Sequence, residues 1–132
     1  MTETQLHTAQ KTGQTPAWVT DLYACFDRMD MDAMLTHFSD DARVRFGNAP
    51  AVGLDEFRAM SDAFLVTIRG TAHTFTQVWE SGESTVLIAD VEYSCHNGAV
   101  MCLPAATVLH RRPDGLIDTM QVIVDVTPLF AA

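Results

Sequence analysis

The sequence predicts an α+β fold in which N-terminal helices pack on a strongly curved antiparallel sheet. Two observations carry this: apolar stripes of helical period end near Ile68, and the rest of the chain alternates with period two between turn signals. Within residues 71–126 the reversals fall at Gly82, at Asn97-Gly98 and at Pro113-Asp114-Gly115. Asn-Gly and Asp-Gly suit tight hairpins because both residues adopt positive φ readily. The four runs (71–81, 84–95, 101–111 and 116–126) are about ten residues each, long enough for a twisted sheet to curl. A curled sheet has a concave side that needs a cover, and the first half of the chain is expected to supply it.

Residues 1–14 are polar, rich in Thr and Gln, and are expected to form a disordered tail ahead of one domain over 15–132. Thr15-Pro16 reads as a helix start, with Thr as N-cap and Pro at the first helical position. Trp18, Val19, Leu22, Tyr23, Phe26 and Met29 then form one stripe. Asp30 caps a shorter helix that buries Met34, Leu35 and Phe38 and breaks at Ser39-Asp40-Asp41. Residues 42–46 alternate as a short strand, and 47–53 read as a loop. A third helix runs from Leu54 to about Ile68, with Phe57, Met60 or Ser61, Phe64 and Leu65 inward, and Gly70 stops it.

With 132 residues and 48% apolar composition the chain can bury a core without disulfides or metal. A net charge of −9 argues against nucleic acid or anionic membrane as partners, since both require a basic face. The 3 cysteines, Cys25, Cys95 and Cys102, lack metal-ligand spacing and lie in apolar runs, which fits unpaired thiols in a reducing cytoplasm. No signal-peptide pattern opens the chain, and no apolar run is long enough to span a bilayer.

The order of elements and several short motifs resemble the SnoaL-like branch of the NTF2-like superfamily. The motifs are Phe38-Ser39-Asp40-Asp41-Ala42-Arg43-Val44, Gly53-Leu54-Asp55, His73 with Trp79, Asp114-Gly115-Leu116-Ile117, and Val124-Asp125-Val126-Thr127-Pro128-Leu129-Phe130. The resemblance spans residues 18–130 and implies a cone of helices and curved sheet around one apolar pocket, with a homodimer as the family habit. The scaffold hosts isomerases, dehydratases, cyclases, epoxide hydrolases and non-catalytic members, so function rests on the pocket residues.

Asp27 follows Tyr23 by one helical turn, so the two share a face. It reads either as a solvated carboxylate beside Arg28 or as an acid at the cone mouth. His73 opens the first long strand on the parity of Phe75, Gln77 and Trp79, as a rim residue or as the partner of Asp27. An imidazole oriented by a carboxylate can take a proton from one atom and return it to another. The resemblance to scytalone-dehydratase-like members implies this Asp27–His73 pair in a dehydration. It also sets Phe26 and Phe46 where those enzymes carry tyrosines, leaving Tyr93 as the available phenol. A family His near the end of the second long strand resembles His96, but parity turns Cys95 inward instead. The ketosteroid isomerase pattern is missing its base and its oxyanion hole, the similar positions being Phe46, Leu22 and Thr107. Epoxide hydrolysis lacks acids on the third strand.

These residues predict a cofactor-free, metal-free lyase or isomerase of dehydratase type acting on a small apolar carbonyl or polycyclic molecule. Asp27 and His73 would handle the proton. Tyr23 and Tyr93 would supply hydroxyls, while Phe46, Phe75, Trp79 and Thr107 shape the pocket. Two alternatives stand: a non-catalytic ligand-binding or dimerisation domain, and a polyketide-cyclase-like enzyme using Asp125 as acid. Asp125 also reads as a cap on the turn into Thr127-Pro128.

Overall fold

The computed structural model describes residues 10–11 and 14–131. Its elements run β1 (Gln10–Lys11), α1 (Ala17–Asp27), α2 (Met31–Leu35), β2 (Phe38–Phe46), β3 (Ala49–Val52), α3 (Leu54–Leu65), β4 (Gly70–Ser81), β5 (Ser84–Ser94), β6 (Val100–Arg111), β7 (Ile117–Val124) and α4 (Thr127–Phe130). The strands form one curved, unclosed sheet in the order β1-β4-β5-β6-β7-β2-β3. The α+β cone expected from the sequence is what the chain adopts. Most of the expected tail lies outside the described residues, and within it Gln10 and Lys11 pair antiparallel with Glu80 and Trp79.

The helices begin close to where the sequence places them. Pro16 is itself the N-cap of α1, and its carbonyl accepts the N–H groups of Val19 and Thr20, both at 3.1 Å. Asp30 caps α2 by accepting the Ala33 N–H at 3.1 Å. Glu56 Oε1 accepts the Val52 N–H at 2.9 Å and ties the start of α3 to β3. The long hairpins follow their turn residues, with Gly82, Gly98 and Gly115 all at positive φ.

Two features depart from expectation. Residues 49–52, expected to be loop, form an antiparallel edge strand against β2, with Pro50 opposite Arg45. An edge strand tolerates proline because the missing N–H faces no neighbour. The β2 strand also starts earlier, at Phe38, and runs parallel to β7 with a register break between Phe38 and Arg43. Within that break the Ser39 hydroxyl donates to Asp41 Oδ1 at 2.9 Å, a local bond in place of the ladder.

The core fills the space between helices and concave sheet. Val19, Leu22 and Tyr23 of α1, Phe57 and Leu65 of α3, and Leu87, Val91, Tyr93, Leu109 and Met120 of the sheet are all buried there. Among the described residues no helix is long and apolar enough to cross a membrane.

Candidate functional site

The helices and the concave sheet do not close completely on each other. Between them lies a cavity in which about 60 Å³ is open to the centre of a water-sized sphere. A single water needs roughly 10–15 Å³ by that measure, so the space admits a small organic molecule. Its wall is mostly aromatic and aliphatic: Phe26, Phe46, Phe57, Phe64 and Phe75 are joined by Met34, Met60, Met120 and branched side chains. The polar exceptions are Tyr23, Ser61, His73, Tyr93 and Thr107, and among the described residues no Lys or Arg reaches the wall.

His73 reaches the cavity because β4 alternates up to Phe75, which puts residues 71, 73 and 75 on its inner face. Asp27 is the last residue of α1, and that helix end sits over the start of β4. The Asp27 carboxylate then collects three donors from one strand. Oδ1 accepts His73 Nδ1 at 2.6 Å and the Thr71 hydroxyl at 2.7 Å, while Oδ2 accepts the His73 backbone N–H at 3.1 Å. Burial alone would raise the Asp27 carboxyl. The bonds from His73 and Thr71, together with the positive character of the imidazole, outweigh it and hold the carboxyl below its ordinary value. An anionic Asp27 with three donors leaves the proton on His73 Nδ1 and makes Nε2 the free lone pair. Among the described residues no hydrogen bond is made by Nε2, and the imidazole lines the cavity. Asp27 itself is not part of the wall; it stands behind His73.

Aromatic rings pack the imidazole in place. The Tyr23 ring lies 4.7 Å from it, that of Phe26 5.7 Å and that of Phe75 6.2 Å, centroid to centroid. Burial pushes the Tyr23 phenol up to about 12, opposed by the nearby Thr107 hydroxyl and reinforced by the Asp27 charge. Burial likewise pushes Tyr93 up to about 12, with no hydrogen bond to offset it. Both phenols therefore stay protonated at neutral pH and can donate to a bound acceptor.

The structure brings together Tyr23, Phe46, His73, Phe75, Tyr93 and Thr107 around one space, with Asp27 bonded to His73 from behind. Two expectations are corrected. Trp79 is not in the wall: a bulge at Thr76 shifts the register between Phe75 and Gln77, reversing parity, so Val78 turns inward and Trp79 turns out. Asp125 is exposed and accepts the Thr127 N–H at 3.0 Å; it caps the turn into α4, and the cyclase reading built on it as pocket acid falls. Neither Cys95 nor His96 lines the cavity, because β5 ends at Ser94 and the His96 ring nitrogen Nε2 bonds the Val66 carbonyl at 3.0 Å. The sequence leaves Ser61 undecided against Met60, although both reach the wall. It also gives no prominence to Thr71, whose parity with His73 is the available signal.

Comparison with known proteins agrees with this fold. A family model described as the SnoaL-like domain matches residues 19–120. No curated protein matches the sequence. Among solved structures, a protein of ketosteroid isomerase-like fold from Catenulispora acidiphila DSM 44928, in complex with trimethylamine, superposes with TM-score 0.78 at 20% identity, covering 88% of this chain and 91% of that one. TerC co-crystallised with polyporic acid gives TM-score 0.75 at 16% identity, over 86% of this chain and 92% of that one. A proposed SnoaL-like polyketide cyclase from Shewanella denitrificans OS-217 gives 0.73 at 10% identity, over 83% and 89%. At these identities the likeness is one of fold.

Proposed function

The chain belongs to the SnoaL-like domain family, and from that premise we propose that it is a cofactor-free lyase or isomerase of dehydratase type. His73 takes a proton from a bound substrate through Nε2 and returns it to a neighbouring atom. Asp27 holds the ring and balances the imidazolium that forms in between. The observation that supports this most directly is the 2.6 Å bond from His73 Nδ1 to Asp27 Oδ1, on an imidazole that lines the cavity. Low dielectric around the pair strengthens each remaining interaction, so one dyad in an apolar space suffices for proton transfer.

The substrate is a small, uncharged, largely apolar carbonyl compound or polycycle. A carboxylate or phosphate would find no cation on the wall and would meet the Asp27 charge behind His73. Tyr93 and Ser61 offer donors to a carbonyl oxygen, and the aromatic side chains offer flat faces. A second reading, ligand binding without chemistry, is favoured by one feature: Phe26 and Phe46 line the cavity where the resembling dehydratases carry hydroxyls.

The protein works as a homodimer in a reducing cytoplasm. Support for the dimer is an apolar strip on the convex face, where Trp79, Val86 and Val108 share a cross-strand row that ends at Gln121, and Ile88, Ala106 and Ile123 share the next, which begins at Gln77. Three free cysteines agree with the compartment.

The test uses thermal shift to find binders in a panel of neutral aromatic and polycyclic ketones, then follows deuterium uptake from heavy water at their acidic carbons by NMR. Wild-type protein should bind and exchange, and His73→Gln should bind without exchanging. Binding by both with exchange by neither would establish the non-catalytic reading instead.

A further inference from the structure

Resting on that reading of the pair, we propose that Thr71 is the positioning residue of the site, its hydroxyl fixing the Asp27 carboxylate so that His73 keeps its proton on Nδ1. The Thr71 Oγ1–Asp27 Oδ1 distance is 2.7 Å, and the oxygen it reaches is the same one that receives the imidazole N–H. A carboxylate oxygen has two lone-pair directions. At Oδ1 one is taken by His73 and the other by Thr71.

Each donor has its own effect on the carboxylate. Asp27 ends α1 and its side chain is 27% exposed, and of its three donors only Thr71 is independent of His73, so without it the carboxylate is held by His73 alone. A carboxylate oxygen with one donor fewer is also the stronger base, so losing the Thr71 bond would raise the Asp27 carboxyl. Thr71 opposes both, holding the rotamer in which Oδ1 meets Nδ1 and keeping the carboxyl low. It does so from a fixed place, because Thr71 pairs with Tyr93 in the β4–β5 ladder and lies two residues from His73 on the same strand face. Thr71 is absent from the cavity wall, so it acts on a ligand only through Asp27 and His73.

The experiment is NMR on protein labelled with ¹⁵N at histidine and ¹³C at aspartate carboxyls, comparing wild type, Thr71→Val, Thr71→Ser and Asp27→Asn. Imidazole ¹⁵N shifts report the tautomer of His73 directly, without any substrate. Wild type and Thr71→Ser should hold the Nδ1–H form. Thr71→Val, similar in shape but lacking the hydroxyl, should lower the ratio of Nδ1–H to Nε2–H by about tenfold, the scale of one hydrogen bond to a charged group. Its Asp27 carboxyl should also titrate at higher pH. If Thr71→Val keeps the wild-type tautomer ratio and carboxyl titration, Thr71 is a bystander and the inference is overturned while the dyad stands. If wild type itself shows the Nε2–H form, the dyad reading fails first, and that result is separately visible. A folding defect would appear as collapsed dispersion throughout the spectrum, and Thr71→Ser, which restores only the hydroxyl, separates it from lost positioning.

Discussion

The Asp27 carboxylate holds His73 at two points, the ring through Nδ1 and the strand through its own backbone N–H. The imidazole is thereby referenced to the β4 backbone and not merely to a rotamer, and α1 cannot slide along β4 without breaking both bonds. One contact thus serves the helix–sheet junction and the chemistry together.

Replacing Asp27 by Asn should separate catalysis from binding. The amide can still accept a hydrogen bond from the His73 ring, but it has no charge to balance an imidazolium and can present an N–H that favours the opposite tautomer. Deuterium exchange into a bound ketone should fall by about 10²–10⁴-fold, the usual worth of a positioned general base. Affinity measured by thermal shift should change little, because Asp27 does not line the cavity. Equal losses in both would mean that Asp27 shapes the cavity and does not tune the base.

Acid should weaken the fold through the same residue. The Asp27 carboxyl lies below its ordinary value of 3.8 in the folded chain, so the folded state binds its proton less readily than the unfolded state does. Its contribution to stability is complete above the unfolded value and is lost as pH falls through the depressed folded one. Urea midpoints taken between neutral pH and about pH 2 should therefore decline less steeply for Asp27→Asn than for wild type. Parallel curves would show that the pair adds nothing to the acid limb.

The sequence discloses what side-chain pattern and turn chemistry control, and conceals what a single inserted residue controls. Gly82, Gly98 and Gly115 mark three hairpins, and the helical stripes place Leu22, Phe57 and Leu65 inside, as found. The bulge at Thr76 has no such signature: an exposed threonine in a strand looks the same whether the ladder counts it or skips it, and that one residue moves Trp79 from the concave to the convex face. Pro50 hides the β3 strand, because proline is ordinary on an edge and disqualifying in a sheet centre. In the site, His73 and Asp27 can be paired because both carry a chemistry worth asking about. Thr71, the third member, has a side chain too common in strands to attract notice.

Filling the cavity should abolish ligand binding at modest cost to the fold. Ala105 faces inward between Ala89 and Val124 and lies on the wall. Ala105→Leu inserts a branched side chain into the open space, and overpacking of this kind destabilises by about 1–3 kcal/mol. The variant should remain folded by circular dichroism, yet the ketones that raise the melting temperature of wild type should no longer do so. Undiminished shifts would place their binding site elsewhere.

The dimer proposal turns on the convex face, and a single charge there tests it. Ile123 is 55% exposed and Val108 38% exposed, diagonal to one another on β7 and β6, where Ile123 pairs with Ala106 and Val108 with Gln121. With half-buried Val86 and Ile88 these side chains make an apolar strip bounded by Gln77 and Gln121, which a second copy could cover by packing sheet on sheet. Ile123→Glu puts a carboxylate in the middle of that surface. In the isolated chain the new charge sits in water and should alter stability by no more than about 0.5 kcal/mol. In a dimer it would be buried facing its own copy, so association should be lost. Sedimentation equilibrium should give twice the 14.5 kDa chain mass for wild type and the chain mass for Ile123→Glu. A wild type that sediments as a monomer removes the dimer altogether. A variant that stays dimeric moves the interface off this face, and in neither case is the His73 cavity, on the opposite side of the sheet, disturbed.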